Sequence, residues 1–189
     1  MILFLEKARR GGLSGVMGTR HVKANNKYLP NYDKKKESSF LAYFDANNLY
    51  GISMSQAIAY GGFQWWSDSS VANYNNDIQK ATNQIMNIPD DAEYGYYFQV
   101  DLKYPDNIKT HTRNFPLAPV KRKVYESELS HFQLHQIKDK KRIPQEKLIC
   151  DQYNKTEYIC HYRNLKFYIR KGMVITKFHR VLQFKQGKG

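Results

Sequence analysis

The chain has 189 residues, of which 41% are hydrophobic, with 15 Tyr and 10 Phe, so it holds enough apolar material for a packed core and does not read as a disordered segment. No apolar run approaches the ~20 residues of a membrane span, and Met1-Ile-Leu-Phe-Leu5 passes straight into Glu6 and Lys7, too short for the core of a signal peptide. An intracellular location is expected, with the nucleus as one candidate and no membrane partner. The formal charge of +13 is unevenly spread: nine Lys/Arg face three acids in residues 1–40, one faces six in 41–100, and twenty face eight in 101–189. Basic flanks around an acidic middle suit a phosphate-backbone channel around a metal site, although a lysine-rich solvated surface would give the same totals.

In chain order, Gly11-Gly12 and Gly15 interrupt any helix begun near Phe4, and Tyr28 to Lys36 reads as a basic loop. Phe40-Leu-Ala-Tyr-Phe44 is predicted as a strand that ends in Asp45, followed by a tight turn at Asn47-Asn48. A short helix is expected over 52–60, stopped by Gly61-Gly62. Ile78, Ala81 and Ile85 share a helical face within 77–86, and Pro89-Asp-Asp91 ends that element. Residues 94–102 alternate, placing Tyr94, Tyr96, Phe98, Val100 and Leu102 on one side of a strand. An amphipathic helix is expected over 124–137 with Leu129, Phe132 and Ile137 inward. A β-hairpin is expected from 147–153 and 158–162 around Asn154-Lys155; it could bring Cys150 to face Cys160, but free buried thiols are the expected state. A short helix over 163–170, ended by Gly172, and a last strand over 174–184 complete an antiparallel α+β domain.

The chemistry-bearing string is Asp45-Ala-Asn-Asn-Leu-Tyr50-Gly51. A carboxylate at the exit of an apolar strand is held firmly beside a turn, an arrangement suited to magnesium, which takes few protein carboxylates and completes its shell with phosphate and water. The same aspartate could equally cap the following turn or helix, and the residues alone leave both roles open. Other candidates are weaker. Asp101 lies near a strand end and reads as structural. His131 and His135 stand four apart on a helix face without an evident third ligand. Trp65-Trp66 could stack bases, but bulky aromatics of this kind usually belong to a core.

Residues 43–62 resemble motif A of family B DNA polymerases, usually written Asp-x-x-Ser-Leu-Tyr-Pro, and Met54-Ser-Gln56 with Tyr60-Gly-Gly62 extends the likeness to the protein-primed polymerases of Maverick/Polinton transposons. It continues through Tyr104-Pro105, Phe115-Pro-Leu-Ala-Pro119, His161-Tyr-Arg-Asn164 and His179-Arg-Val-Leu-Gln183. The resemblance implies a partial polymerase palm that carries an inserted helix/hairpin subdomain. It divides the chain into a basic loop region (1–39), a palm segment with motif A (40–93), and a basic insertion-like region returning to the palm (94–189).

The implied activity is DNA-directed DNA synthesis, a two-metal nucleotidyl transfer with Mg²⁺ as cofactor. The implied partners are a primer-template DNA, a deoxynucleoside triphosphate and a terminal protein. By that resemblance Asp45 binds both metal ions and the Ala46 carbonyl ligates the nucleotide-bound one. Asn48 and the Leu49 amide face the triphosphate, and the Tyr50 ring packs under the incoming sugar, excluding a ribose 2′-hydroxyl. Arg10-Gly11-Gly12 sits where the family has a template-holding Tyr-x-Gly-Gly. Two departures stand out: Asn48 replaces Ser, and Gly51 replaces Pro. The family's Tyr-x-Asp-Thr-Asp-Ser and Lys-x3-Asn-Ser-x-Tyr-Gly strings do not occur. The expectation is therefore a fragment, a gene piece or decayed transposon copy, inactive by itself. The alternative is a non-catalytic DNA-binding remnant.

Overall fold

The computed structural model describes residues 1–13, 21–137 and 146–188. Its centre is a four-stranded antiparallel sheet built from β1 (Ile58–Trp65), β2 (Tyr94–Lys103), β5 (Lys155–His161) and β6 (Val174–Gly187), in the order β1-β6-β2-β5. Strand β6 is long enough to pair along both flanks, with β1 on one side and the whole of β2 on the other. The predicted alternation of β2 holds: Phe98, Val100 and Leu102 are buried on one face. Helices α4 (Ile78–Met86) and α7 (Tyr162–Arg170) cover that face, contributing Ala81, Ile85, Tyr162 and Leu165 to a core shared with Phe178 and Val181. Each fully buried side chain of this size contributes about 1.5–3 kcal/mol, so this face carries most of the fold's stability.

Helix α7 ends as expected. Gly172 adopts φ +97°, and the Met173 amide returns to the Tyr168 carbonyl at 3.0 Å. A β-carbon there would lie 2.7 Å from Ile108, so both the backbone and the packing require glycine. On the opposite face of the sheet, α1 (Ile2–Ala8) seats Phe4 against Trp65, Ile159 and Leu182. Phe4 meets Trp65 edge-on at 4.7 Å, and the Arg180 guanidinium lies 3.9 Å over the same indole. Trp66 donates to the Gln183 side chain at 3.2 Å and packs edge-on against Tyr74 and Tyr96. Both tryptophans thus pack, partly buried, against the core.

Four sequence expectations are corrected. Residues 40–44 form no strand. Their apolar side chains stay exposed, and no described segment pairs with them to complete a strand. The helix expected over 52–60 is instead α2 (Leu49–Met54), and Gly61-Gly62 lies inside β1 rather than ending a helix. A further helix, α3 (Asp68–Asn76), capped by the Ser67 side chain, precedes α4.

The 124–137 helix is reduced to a 3-10 turn at Glu126–Glu128 and α6 (His131–Ile137), with Phe132 exposed rather than inward. The predicted hairpin is split between two sheets. Strand β4 (Glu146–Ile149) pairs with β3 (Val120–Lys123), whereas β5 pairs with β2, with Phe98 opposite Cys160. Cys150 and Cys160 remain free thiols. Among the described residues, no helix is long and apolar enough to cross a membrane.

Candidate functional site

The Asp45–Gly51 segment is a solvent-facing turn. Residues 45–50 are all exposed, Tyr50 to 88%. Asn48 adopts a left-handed conformation (φ 54°, ψ 41°), tolerated by asparagine better than by most residues. From that position its Oδ1 accepts the Gly51 N–H at 3.2 Å, and its carbonyl accepts the Ile52 N–H at 3.0 Å, which starts α2. A β-carbon on Gly51 would lie 2.5 Å from the Asn48 side chain. Asn48 and Gly51, where the resembled motif has Ser and Pro, are therefore one device. Proline at 51 has no N–H to give, and its ring would occupy the space that Asn48 fills. The asparagine cap and the glycine require one another. The Asn48 Nδ2 group is not needed for the cap and is left as a donor.

The segment is anchored at its downstream end. Ala57 is buried, and its carbonyl accepts Arg163 Nη2 at 2.9 Å, while Gln56 Oε1 accepts Nη1 at 3.3 Å. Arg163 also donates to the Asp90 carbonyl, and Lys166 reaches the Asp90 carboxylate at 2.7 Å and the Ile88 carbonyl at 2.6 Å. The Lys166 hydrogen bond holds the Asp90 carboxyl below the usual carboxylate range, with the Lys166 and Arg163 charges acting the same way against partial burial. His161 caps α7 by accepting the Arg163 N–H on Nδ1, and burial, aided by the Arg163 charge, pushes its pKa down to about 4. The imidazole is therefore neutral near pH 7, as an acceptor must be. Nothing local in the sequence announces this cluster, because Asp90 and Lys166 lie 76 positions apart.

Asp45 and the Ala46 carbonyl are hard oxygen donors, the kind magnesium prefers. Among the described residues, no three His, Cys, Asp or Glu side chains come together as a metal-binding set. Two oxygens of this kind would fill only part of a magnesium shell.

Arg10 has a structural role. Its Nε donates to the Pro119 carbonyl at 2.9 Å and its Nη1 to the Ile159 and Ala8 carbonyls at 2.7 and 3.0 Å, with the guanidinium 3.9 Å over the Tyr158 ring. It ties the end of α1 to β5 and to the approach of β3. Gly11 and Gly12 are exposed, and a β-carbon on either would meet nothing within 4 Å among the described residues, so packing does not require glycine there. A cavity of about 530 Å³ beside Arg10 is lined by α1, β3, β4 and β5, and none of residues 45–50 reaches it.

Asp101 accepts the Glu157 N–H at 2.7 Å and pairs with His179 Nε2 at 2.8 Å, where a bulge in β6 displaces the histidine. Burial raises its pKa, but the Glu157 and His179 hydrogen bonds outweigh it and the net shift is downward. This is the structural role expected for Asp101. His131 and His135 stand exposed on α6. Burial pushes the Cys160 thiol up to about 12, which keeps it protonated and inert. No protein-family model, no curated protein and no solved structure matches the chain.

Proposed function

We propose that the chain is part of a DNA-directed DNA polymerase of the protein-primed branch of family B, a piece of its palm, acting where DNA is replicated (the nucleus if the element lives there). The observation that carries this reading is the string Asp45-Ala-Asn-Asn-Leu-Tyr50-Gly51, displayed on a capped turn. There the Asp45 carboxylate, the Asn48 Nδ2 group and the Tyr50 ring all face solvent beside a fixed anchor at Ala57. The antiparallel sheet and the basic flanks agree with it.

In this reading Asp45 and the Ala46 carbonyl supply protein oxygens to magnesium. The metal, when bound, neutralises triphosphate charge and activates the primer hydroxyl. Asn48 Nδ2 and the Leu49 amide, which precedes the first intrahelical hydrogen bond, donate to the triphosphate. Tyr50 closes the space a ribose 2′-hydroxyl would need. A terminal protein serves as primer. Because Asp45 is a single carboxylate, this polypeptide alone does not polymerise. The test belongs in a longer polymerase chain that supplies the second aspartate and the fingers lysine. There Asp45→Ala lowers deoxynucleotide incorporation on the order of a hundredfold to a thousandfold while DNA affinity is retained. Unchanged incorporation would sink the reading. It would leave the alternative, a non-catalytic DNA-binding remnant, which the +13 charge favours.

A further inference from the structure

Residues 25–39 form a closed loop that owes nothing to the sheet. Asn25 and Ser39 pair as an isolated antiparallel bridge, with the Ser39 N–H on the Asn25 carbonyl at 2.7 Å and the Asn25 N–H on Ser39 Oγ at 3.0 Å. The Asn25 side chain fills the centre of the loop. Its Nδ2 donates to the carbonyls of Asp33, Lys36 and Glu37 at 3.0–3.3 Å, and its Oδ1 accepts the Asp33 N–H at 2.8 Å. Asn26, buried, does the same work at the neck, donating to the Ser39 carbonyl and accepting from Tyr28. Compact loops with joined ends and a polar interior of this kind are often functional surfaces.

The loop displays a particular combination of side chains. Residues 21–39 hold five lysines against two acids. Among the described residues, only Lys36 of those lysines is drawn to an acid, Asp33, at 3.6 Å, and Lys23, Lys27, Lys34 and Lys35 are exposed. Tyr28 is 76% exposed, with Lys27 Nζ 5.2 Å from its ring centre. Between the loop and its exit lies a recess of about 540 Å³ with an apolar floor of Leu29, Pro30 and Leu41 and a rim carrying Lys23, Lys36 and Asp33. Past the recess, Phe40, Tyr43 and Phe44 keep their rings in solvent.

Solvated lysine loops are common, but they do not ordinarily enclose an apolar recess flanked by open aromatic faces. Cations that track phosphates, combined with flat rings that stack on bases, are the two requirements of single-strand binding. In a duplex the bases are already stacked and paired, and an apolar recess finds nothing to hold. We propose that the 23–44 loop is a docking surface for single-stranded nucleic acid, with one nucleotide seated in the recess and its neighbours on Tyr28 and the exit aromatics. The proposal stands on the loop's own geometry and needs neither metal nor Asp45.

The test uses the full chain in metal-free buffer and follows the anisotropy of a labelled oligothymidylate of about twenty nucleotides, at several salt concentrations near 100 mM. The triple variant Lys23→Ala/Lys34→Ala/Lys35→Ala is expected to bind about tenfold more weakly or worse. The slope of log affinity against log salt is expected to shallow by about two, at about 0.7 per single-strand phosphate contact. Tyr28→Ala is expected to weaken binding by about fivefold or more with the slope unchanged, as for a lost stacking contact. Photocrosslinking of a 5-iodouracil strand should mark the 28–44 stretch.

The proposal is overturned if the parent chain does not bind the strand, if the triple variant binds like the parent, or if a duplex of equal length competes equally well. The polymerase reading is scored separately, on deoxynucleotide incorporation in a longer chain, so loop variants that bind like the parent refute the loop and leave that reading standing. Near-ultraviolet circular dichroism of each variant separates loss of contact from loss of fold.

Discussion

Two stretches of this chain carry nearly the same local message and meet different fates. Residues 94–102 and residues 40–44 are both rich in aromatic and aliphatic side chains, and both read as strands. The first lies between β5 and β6 with Phe98 fully buried, whereas in the second Tyr43 and Phe44 are 92% and 88% exposed. A strand's backbone groups and its apolar face are satisfied only by neighbours, so pattern announces a capacity that pairing must complete. In the buried stretch, aromatic side chains contribute stability. In the open one they remain available to a partner, and both the single-strand docking surface and the Asp45 turn draw on that same open stretch.

The sharpest way to break this comparison is to shorten one ring on each side. Phe98→Ala is expected to cost about 3–5 kcal/mol in denaturant unfolding, and Phe44→Ala less than about 0.5 kcal/mol. Similar costs would mean that the 40–44 stretch is packed after all. A second contrast concerns charge rather than volume. The pKa of His161 falls from 6.5 to about 4 on folding, so between those values the unfolded chain binds more protons than the native one. Stability therefore declines as pH falls from 6.5 towards 4, by roughly 3 kcal/mol in all, and is unaffected by this group above 6.5. His161→Asn, which keeps a capping acceptor but does not titrate, should flatten that part of a stability–pH curve. An unchanged curve would place the acid sensitivity elsewhere.

The smallest expected effect probes the open region itself. Gly51→Pro removes the donor to Asn48 and is expected to cost about 1 kcal/mol of local stability, read as faster amide exchange across α2. Asn48→Ser/Gly51→Pro, which installs the Ser and Pro of the motif that the string resembles, should recover part of that loss. No recovery would show that the two positions are independent.

Much of the buried half was legible beforehand. The alternation of 94–102, the helical face of Ile78, Ala81 and Ile85, the short helix over 163–170 and the Gly172 stop each matched the structure, in the first two cases because burial imposes a period on the sequence. The candidate site was legible as a string of residue types and as a turn at Asn47-Asn48, but not as a geometry. That Asn48 and Gly51 form one cap, and that the Arg10 guanidinium is committed to three carbonyls, came only from the coordinates. The partition of the 147–162 region between two sheets was equally hidden. The turn at Asn154 suits a hairpin, yet β4 and β5 each find a better neighbour far away in the chain.

By itself the sequence determined what acts within a few residues: the periodicity of the core elements, the glycine stop after α7, the uneven charge and the Asp45 string. The tertiary structure decided what depends on partners distant in sequence. It set which apolar runs became strands, which cations were neutralised by buried contacts (Lys166 on Asp90) and which stayed free on the 25–39 loop. The reason is physical. Local pattern sets the preferences of each segment, but hydrogen-bond pairing, burial and charge compensation are properties of pairs, and pairs form only once the chain has folded.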